Sequence, residues 1–377
     1  MMKTLDGIAL SRRRFLLGSA AVGALLTVPS CAYLTPKPSP AATKPVEPKI
    51  DGDLVYFNWA DYVEPSVFEG FQNEYGVKVI QSNFDSMESM QAKLAAGNRY
   101  DIIFPSAQWV QKLAAANQLR TIDPSTLKNA PLIFDHYQHF ADPWYDPRSA
   151  HSIPFTMYKT GIAWRKDKLG ETLTGGWSDL WNETSRGHTF VLDDRDEVLG
   201  MLALLKGYDL NTAAADELSA IVDEFGTLRP YLRGLSSDDY NNLLAGDAWM
   251  HQTWSGDMAA LLWQAPDASI YGFEAPKQGT PINTDAYAIP VNAEHPGTAL
   301  LFVDYMLRPE NVQKNIGFIG YPMPVHGAED AYQEIVGDYP QCAVTVSDLS
   351  HNPYFTNDGV AKSQARDAAY TEMKVGA

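Results

Sequence analysis

Cysteine is almost missing from this chain of 377 residues, with Cys31 and Cys342 as the whole complement. Two thiols exclude a disulfide-stapled scaffold and a thiolate-rich metal centre. Positive charge is scarce as well: 29 Lys and Arg stand against 46 Asp and Glu, for a net charge of −17. Such a surface repels nucleic acid and anionic lipid headgroups and favours a cationic partner. His-Glu-x-x-His, Cys-x-x-Cys, Gly-x-Ser-x-Gly and phosphate-binding glycine loops do not occur, nor do the adjacent tyrosines used by ferric-ion binders. An ordinary hydrolytic or redox enzyme would lack its usual parts. Asp135-His136-x-x-His139 sets two histidines three apart, which one helical turn could aim at a metal. A solvated helix end or loop is the plainer account of that pair, so neither a metal nor a cofactor is expected.

Long apolar runs are confined to the N-terminus. Ser11-Arg12-Arg13-Arg14-Phe15-Leu16-Leu17 fits the twin-arginine export pattern, and the apolar stretch from Phe15 to Val28 is short and rich in Gly and Ala. Residues 1–30 are therefore read as an export signal and set apart from the fold. Val28-Pro29-Ser30-Cys31 resembles a lipobox, which makes Cys31 a candidate lipidation site, although Pro29 is unusual there. Ordinary cleavage near Ser30 and Ala32 is the alternative. Residues 31–50 carry Pro36, Pro38, Pro40, Pro45 and Pro48 among Ala, Thr and Lys, the composition of a semi-extended tether. The folded part then begins near Asp51.

Past that point strands and helices alternate. Asp53–Asn58 reads as a strand, Pro65 opens a helix closed by Gly76, and Val77–Gln81 returns as a strand. Helix Met87–Ala96, strand Asp101–Phe104 and helix Gln108–Ala116 follow. A second set starts after Ser152–Phe155: strand His188–Leu192, helices Glu197–Lys206 and Ala213–Phe225, strand Ala248–Thr253, helix Asp257–Trp263, strand Ala286–Pro290 and helix Gly297–Leu307. The alternation predicts an α/β fold with a parallel sheet covered on both faces, divided into two lobes with a cleft between them.

Aromatic and acidic residues coincide at the strand-to-helix corners. Trp59-Ala60-Asp61-Tyr62 follows the first strand, and Asp193-Asp194-Arg195-Asp196-Glu197 joins a strand to a helix. Trp254-Ser255-Gly256-Asp257 follows another strand, and Asp285 precedes Tyr287. Each has a plain structural reading, since Trp59 and Trp254 fit a core and Asp194 fits a helix N-cap. Together they suit ammonium groups: carboxylates form charge-assisted bonds with them, while aromatic walls take the methylenes.

Several segments, in one order, carry a family likeness. They are Phe57-Asn58-Trp59-Ala60-Asp61-Tyr62-Val63, Phe84-Asp85-Ser86-Met87-Glu88-Ser89-Met90, Tyr100-Asp101-Ile102-Ile103-Phe104-Pro105-Ser106, Trp177-Ser178-Asp179-Leu180-Trp181 and Ile319-Gly320-Tyr321-Pro322. With them the chain resembles the spermidine/putrescine-binding proteins of ABC transporters from about Asp53 almost to its C-terminus. The resemblance implies a two-lobed type II periplasmic binding protein fold with a hinge and an interlobe ligand cleft. Residues 52–158 plus 284–329 would form lobe 1, and residues 159–283 plus 330–377 lobe 2. It implies Trp59, Asp61 and Tyr62 facing the cleft, Ser106 at a strand end, and Asp194 and Glu197 as acids for amino groups. Trp254 and Tyr321 would be aromatic walls, Asp257 an acid of putrescine-type members, and Asp285 the anchor of one ammonium. Ala60, Gln108, Asn283 and Thr356 depart from the pattern, which thins the aromatic box and leaves the length of the amine open.

The resemblance therefore implies a non-catalytic capture protein for putrescine, spermidine or both. It would act as a periplasmic monomer, exported by the twin-arginine route, that hands its ligand to ABC permease subunits of the inner membrane. Modest discrimination between the two amines is expected. A polyamine receptor serving a membrane sensor is the rival within the fold. A glycan-active enzyme using Asp194 and Glu197 as paired carboxylates is the rival from another class.

Overall fold

A computed structural model describes residues 46–134, 140, 142–357 and 359–376. The export signal, most of the tether, Cys31, His136 and His139 lie outside the described residues. β1 (Leu54–Trp59) pairs in parallel with β2 (Val79–Phe84) and β3 (Ile102–Ile103). Between them run α1 (Pro65–Tyr75) and α2 (Met87–Ala95), and α3 (Ala107–Ala115) follows β3. Local chemistry sets their ends: Pro65 stands at the start of α1, Gly76 closes it at φ 67°, and Ser86 caps α2 in a reciprocal box with Ser89.

β4 (Ser152–Arg165) is the long crossing strand. Next come β5 (Thr189–Val191), α4 (Arg195–Lys206), α5 (Ala215–Leu228), β6 (Leu232–Leu235) and α6 (Asp239–Leu244). β7 (Met250–Trp254), α7 (Ser255–Gln264), β8 (Tyr271–Glu274) and β9 (Ile282–Ala288) follow. The helical remainder includes α8 (Pro296–Met306), α9 (Pro309–Ile319) and α10 (Val360–Val375). Strand order is β2-β1-β3-β9-β4-β7-β5-β6, with β8 beside β4.

The sheet is mixed, which corrects the expectation of a parallel one. β1–β3 are parallel, as are β5, β6 and β7, but β9 and β4 join the two sets in antiparallel fashion. The cause lies in β4, which the sequence reading ended at Phe155. Lys159 breaks its apolar run, yet that ammonium is buried and satisfied by Asp348 at 3.3 Å, so the strand continues through it. Ser152–Lys159 pair with β9, whereas Thr160–Arg165 pair with β7 and β8. One strand thus belongs to both halves of the molecule.

Two large apolar clusters fill the interior, and the first reaches across from β1 and β3 to Leu192, Trp254 and Met258. Tyr56, Phe68, Phe104, Phe155, Tyr287 and Phe302 interlock on one side of the crossing strands. Trp177, Leu199, Leu202, Ile221, Phe225 and Met250 form the other between α4, α5 and the strands. Phe155 is fully buried, 5.2 Å from Phe104, 4.8 Å from Tyr287 and 5.3 Å from Tyr62 between ring centres. Phe155→Ala should leave a cavity that costs about 3–5 kcal/mol. A denaturant midpoint unchanged from the parent protein would show that the aromatic core does not carry the fold.

Candidate functional site

The corner after β1 turns into the interior at Tyr62. Its hydroxyl donates to Asp285 Oδ2 on β9 at 2.9 Å and lies 2.8 Å from Thr156 Oγ1 on β4. Ser106, the residue before α3, forms an isolated antiparallel bridge with Asp285. Asp285 is buried, and that burial lifts its carboxyl to about 7, with the Tyr62 bond opposing the rise and Asp194 adding to it.

Asp194 opens α4 as its N-cap, its Oδ1 accepting the amides of Asp196 at 2.9 Å and Glu197 at 3.0 Å. The plain reading of this residue is therefore correct, and it is a buried acid beside Asp285 as well. Burial and then Asp196 raise its carboxyl. Glu197 Oε1 accepts from Trp254 Nε1 at 2.9 Å and from Thr160 Oγ1 at 3.0 Å. Its Oε2 is buried with no hydrogen-bond partner among the described residues. Burial, followed by repulsion from Asp194, pushes Glu197 up to about 8.

A second acidic pair lies under Tyr321. The Tyr321 hydroxyl donates to Asp257 Oδ2 at 2.8 Å. Asp257 is half-buried and meets the buried Asp239, which accepts the amides of Tyr240 at 3.1 Å and Trp254 at 3.2 Å and the Thr253 hydroxyl. Burial and then the Asp239 charge raise Asp257 well above the usual carboxylate range. Glycine makes this packing feasible: a Cβ on Gly256 would sit 2.1 Å from the Tyr321 ring.

Aromatic rings close the space between these acids. Trp59 and Trp254 stand 5.9 Å apart, Tyr62 and Tyr321 5.1 Å, and Tyr158 and Tyr321 5.9 Å, all edge-on. Asp194, Glu197, Asp257 and Asp285 form no ion pair among the described residues. The neighbouring guanidinium groups are committed elsewhere: Arg195 holds Asp196 by two bonds of 3.0 Å, and Arg366 adds a third at 3.2 Å. Burial works to raise Asp196, but these two cations outweigh it and keep that carboxyl low.

Of the residues singled out from sequence, Trp59, Tyr62, Ser106, Asp194, Glu197, Trp254, Asp257, Asp285 and Tyr321 converge here. Asp61 does not join them; it is exposed, at φ 51°, and makes no hydrogen bond or ion pair among the described residues. Four participants were missed. Glu88, in the first turn of α2, is half-buried, and burial and the Asp194 charge raise its carboxyl. Tyr158 and Thr160 come from β4, where every residue from Ser152 to Trp164 is buried and no alternation marks a cleft face. Asp239 reads as an ordinary acidic helix start, and no signal in the sequence sets it apart.

Residues 67–343 match the family described as bacterial extracellular solute-binding protein. The spermidine/putrescine-binding periplasmic protein of Escherichia coli (strain K12) is 30% identical over 331 residues, covering 86% of this chain and 92% of its own length. The putrescine-binding periplasmic protein PotF of the same organism is 30% identical over 280 residues, 69% of this chain and 74% of its own. Among solved structures, the Tp0655 (TpPotD) lipoprotein of Treponema pallidum superposes with a TM-score of 0.72 at 25% identity, covering 85% of this chain and 99% of that one.

The buried acids make a stability prediction. Glu197 and Asp285 hold their protons up to about 8 and about 7, whereas unfolded carboxyls titrate near 4. Between those limits the folded chain binds more protons than the unfolded one, so stability falls as the pH rises. The melting temperature without ligand should drop from about pH 5 to about pH 8, and Glu197→Gln should flatten part of that drop. A rise over the same interval, or identical slopes in both proteins, would contradict the burial of uncompensated charge.

Proposed function

The chain belongs to the bacterial extracellular solute-binding proteins, and we propose that it captures a polyamine, putrescine or spermidine, in the acidic cleft and delivers it to an ABC permease. One observation carries the reading: Asp194, Glu197 and Asp285, all buried, and the half-buried Asp257 are gathered with aromatic rings and form no ion pair among the described residues. Desolvating so many carboxyls is costly unless cations arrive to pair with them. A polyamine supplies two or more ammonium groups on a flexible apolar chain, and the rings at Trp59, Trp254 and Tyr321 suit its methylenes and charges. The names of the relatives support the same ligand class.

Each residue then has a role. Asp285 pairs with one ammonium, oriented by Tyr62. Glu197 presents its unpartnered Oε2 to another, with Asp194 adding negative potential at the helix N-terminus. Asp257, held by the Tyr321 hydroxyl, adds a further acceptor for an ammonium group. Residues 52–158 plus 284–329 and residues 159–283 plus 330–377 are the proposed lobes. The change of partner along β4 between Lys159 and Thr160 supports a hinge there. Closure about it would sequester the amine and create the face that the permease reads. The twin-arginine signal and Cys31 imply a periplasmic protein, with a lipid anchor if the cysteine is acylated.

Putrescine or spermidine at ~100 times its dissociation constant should raise the melting temperature by ~5 °C. Asp285→Asn should weaken binding by about two orders of magnitude, since an ammonium would be buried without its partner. A thermal melt measures the first effect and titration calorimetry the second. No response to putrescine, cadaverine, spermidine or spermine near neutral pH would refute the polyamine reading.

A further inference from the structure

Asn283 lies two residues before Asp285 on β9, hence on the same face of the strand. Gln108 lies two residues after Ser106, which bridges to Asp285. The two amides meet: Asn283 Nδ2 donates to Gln108 Oε1 at 3.1 Å, and Gln108 Nε2 donates to Asp196 Oδ2 at 3.2 Å. All three side chains are buried. Asp196 is held ionised by Arg195 and Arg366, so it can only accept, which fixes the orientation of Gln108 and in turn that of Asn283. Asn283 Oδ1 is taken by the Thr284 amide at 2.9 Å. The result is a continuous polar strap from β9, through α3, to the first turn of α4.

The lining changes across this strap. On one side lie the carboxyls of Asp285, Asp194 and Glu197. On the other, a small cavity with Gln108 in its wall is lined by Lys112, Arg195, Lys362 and Arg366, with Arg195 paired to Asp196 and Asp367 and Arg366 to Asp196. Lys112 stands 3.8 Å over the Trp109 ring, and Arg195 lies 6.0 Å from the same ring. The carboxyl-rich space therefore ends at a fixed hydrogen-bonded barrier backed by cations.

Resting on the polyamine reading, we propose that Gln108, Asn283 and Asp196 form an end stop that selects amines by length. A short diamine places both ammonium groups among the acids on the near side. A longer amine pushing past Asp285 toward α4 would have to break two buried amide bonds and bring a positive charge up to Lys112. The strap thus predicts a sharper preference for short diamines than the modest discrimination read from sequence, and makes Gln108 and Asn283 its specificity-determining residues.

The test is calorimetric titration of the purified protein with putrescine, cadaverine, diaminooctane and spermidine. Putrescine and cadaverine should bind at least ~30-fold more tightly than diaminooctane and spermidine. Gln108→Ala and Asn283→Ala should each reduce that ratio by about tenfold, and Lys112→Glu should lower it without altering the strap. Because the diamine series on the parent protein and Lys112→Glu leave the buried amides intact, the test does not depend on the strap variants folding. Spermidine bound as tightly as putrescine, or a ratio unmoved in all three variants that still bind putrescine, would overturn the end stop alone. If no amine binds the parent protein, the polyamine reading falls and takes the end stop with it.

Discussion

Burial of carboxyls without paired counter-charge is the constraint on which the site turns. Asp194 and Glu197 stand three residues apart at one helix start, and Asp285 approaches them from a different strand. Their separation from solvent comes from the ring packing, and their lack of counter-charge comes from the use of Arg195 and Arg366 elsewhere. The α4 N-terminus helps to tolerate the cluster, because its free amides and its dipole favour negative charge at Asp194. The surrounding hydroxyl and indole donors of Tyr62, Thr160, Trp254 and Tyr321 do the rest. Thr160 and Trp254 both satisfy Glu197 Oε1 and leave its Oε2 without a partner among the described residues.

Much of this was legible before the fold was known. Trp59, Asp194 and Trp254 stand out because an acid or a ring at a strand-to-helix corner is both locally readable and positioned by the topology, whereas Asp285, expected just before a strand, lies within β9. The mixed character of the sheet was not legible. An interior strand such as β4, buried on every side, loses the period-two alternation by which strands reveal their faces, and a charged Lys159 within it looks like an end. Glu88 and Asp239 were missed for another reason. Their role depends on which helix comes to face which, and nothing in the neighbourhood of Asp238-Asp239 encodes that α7 and Tyr321 will close over it. Asp61 failed in the opposite sense, since nearness in sequence to Trp59 and Tyr62 did not give it their orientation.

The second acidic pair differs in kind from the first. Burial is the first cause in every case, but Asp194, Glu197 and Asp285 feel neighbouring carboxyl charge without a bond between carboxyls, whereas Asp257 and Asp239 are hydrogen-bonded to each other. The close approach of Tyr321, allowed by the bare Cα of Gly256, keeps that pair covered.

The place of β9 in the sheet carries a consequence for how the chain assembles. β3 cannot join β4 directly, because β9 lies between them, and β9 is made of residues about 180 positions downstream of β3. The first half of the chain therefore emerges with an open sheet edge and an unfilled aromatic core. Closing so long a loop is entropically expensive and must precede the contacts that reward it. Until β9 docks, the unpaired edges of β3 and β4 are exposed to wrong partners, so the slow and aggregation-sensitive step of folding is expected to be the insertion of the same strand that carries Asp285.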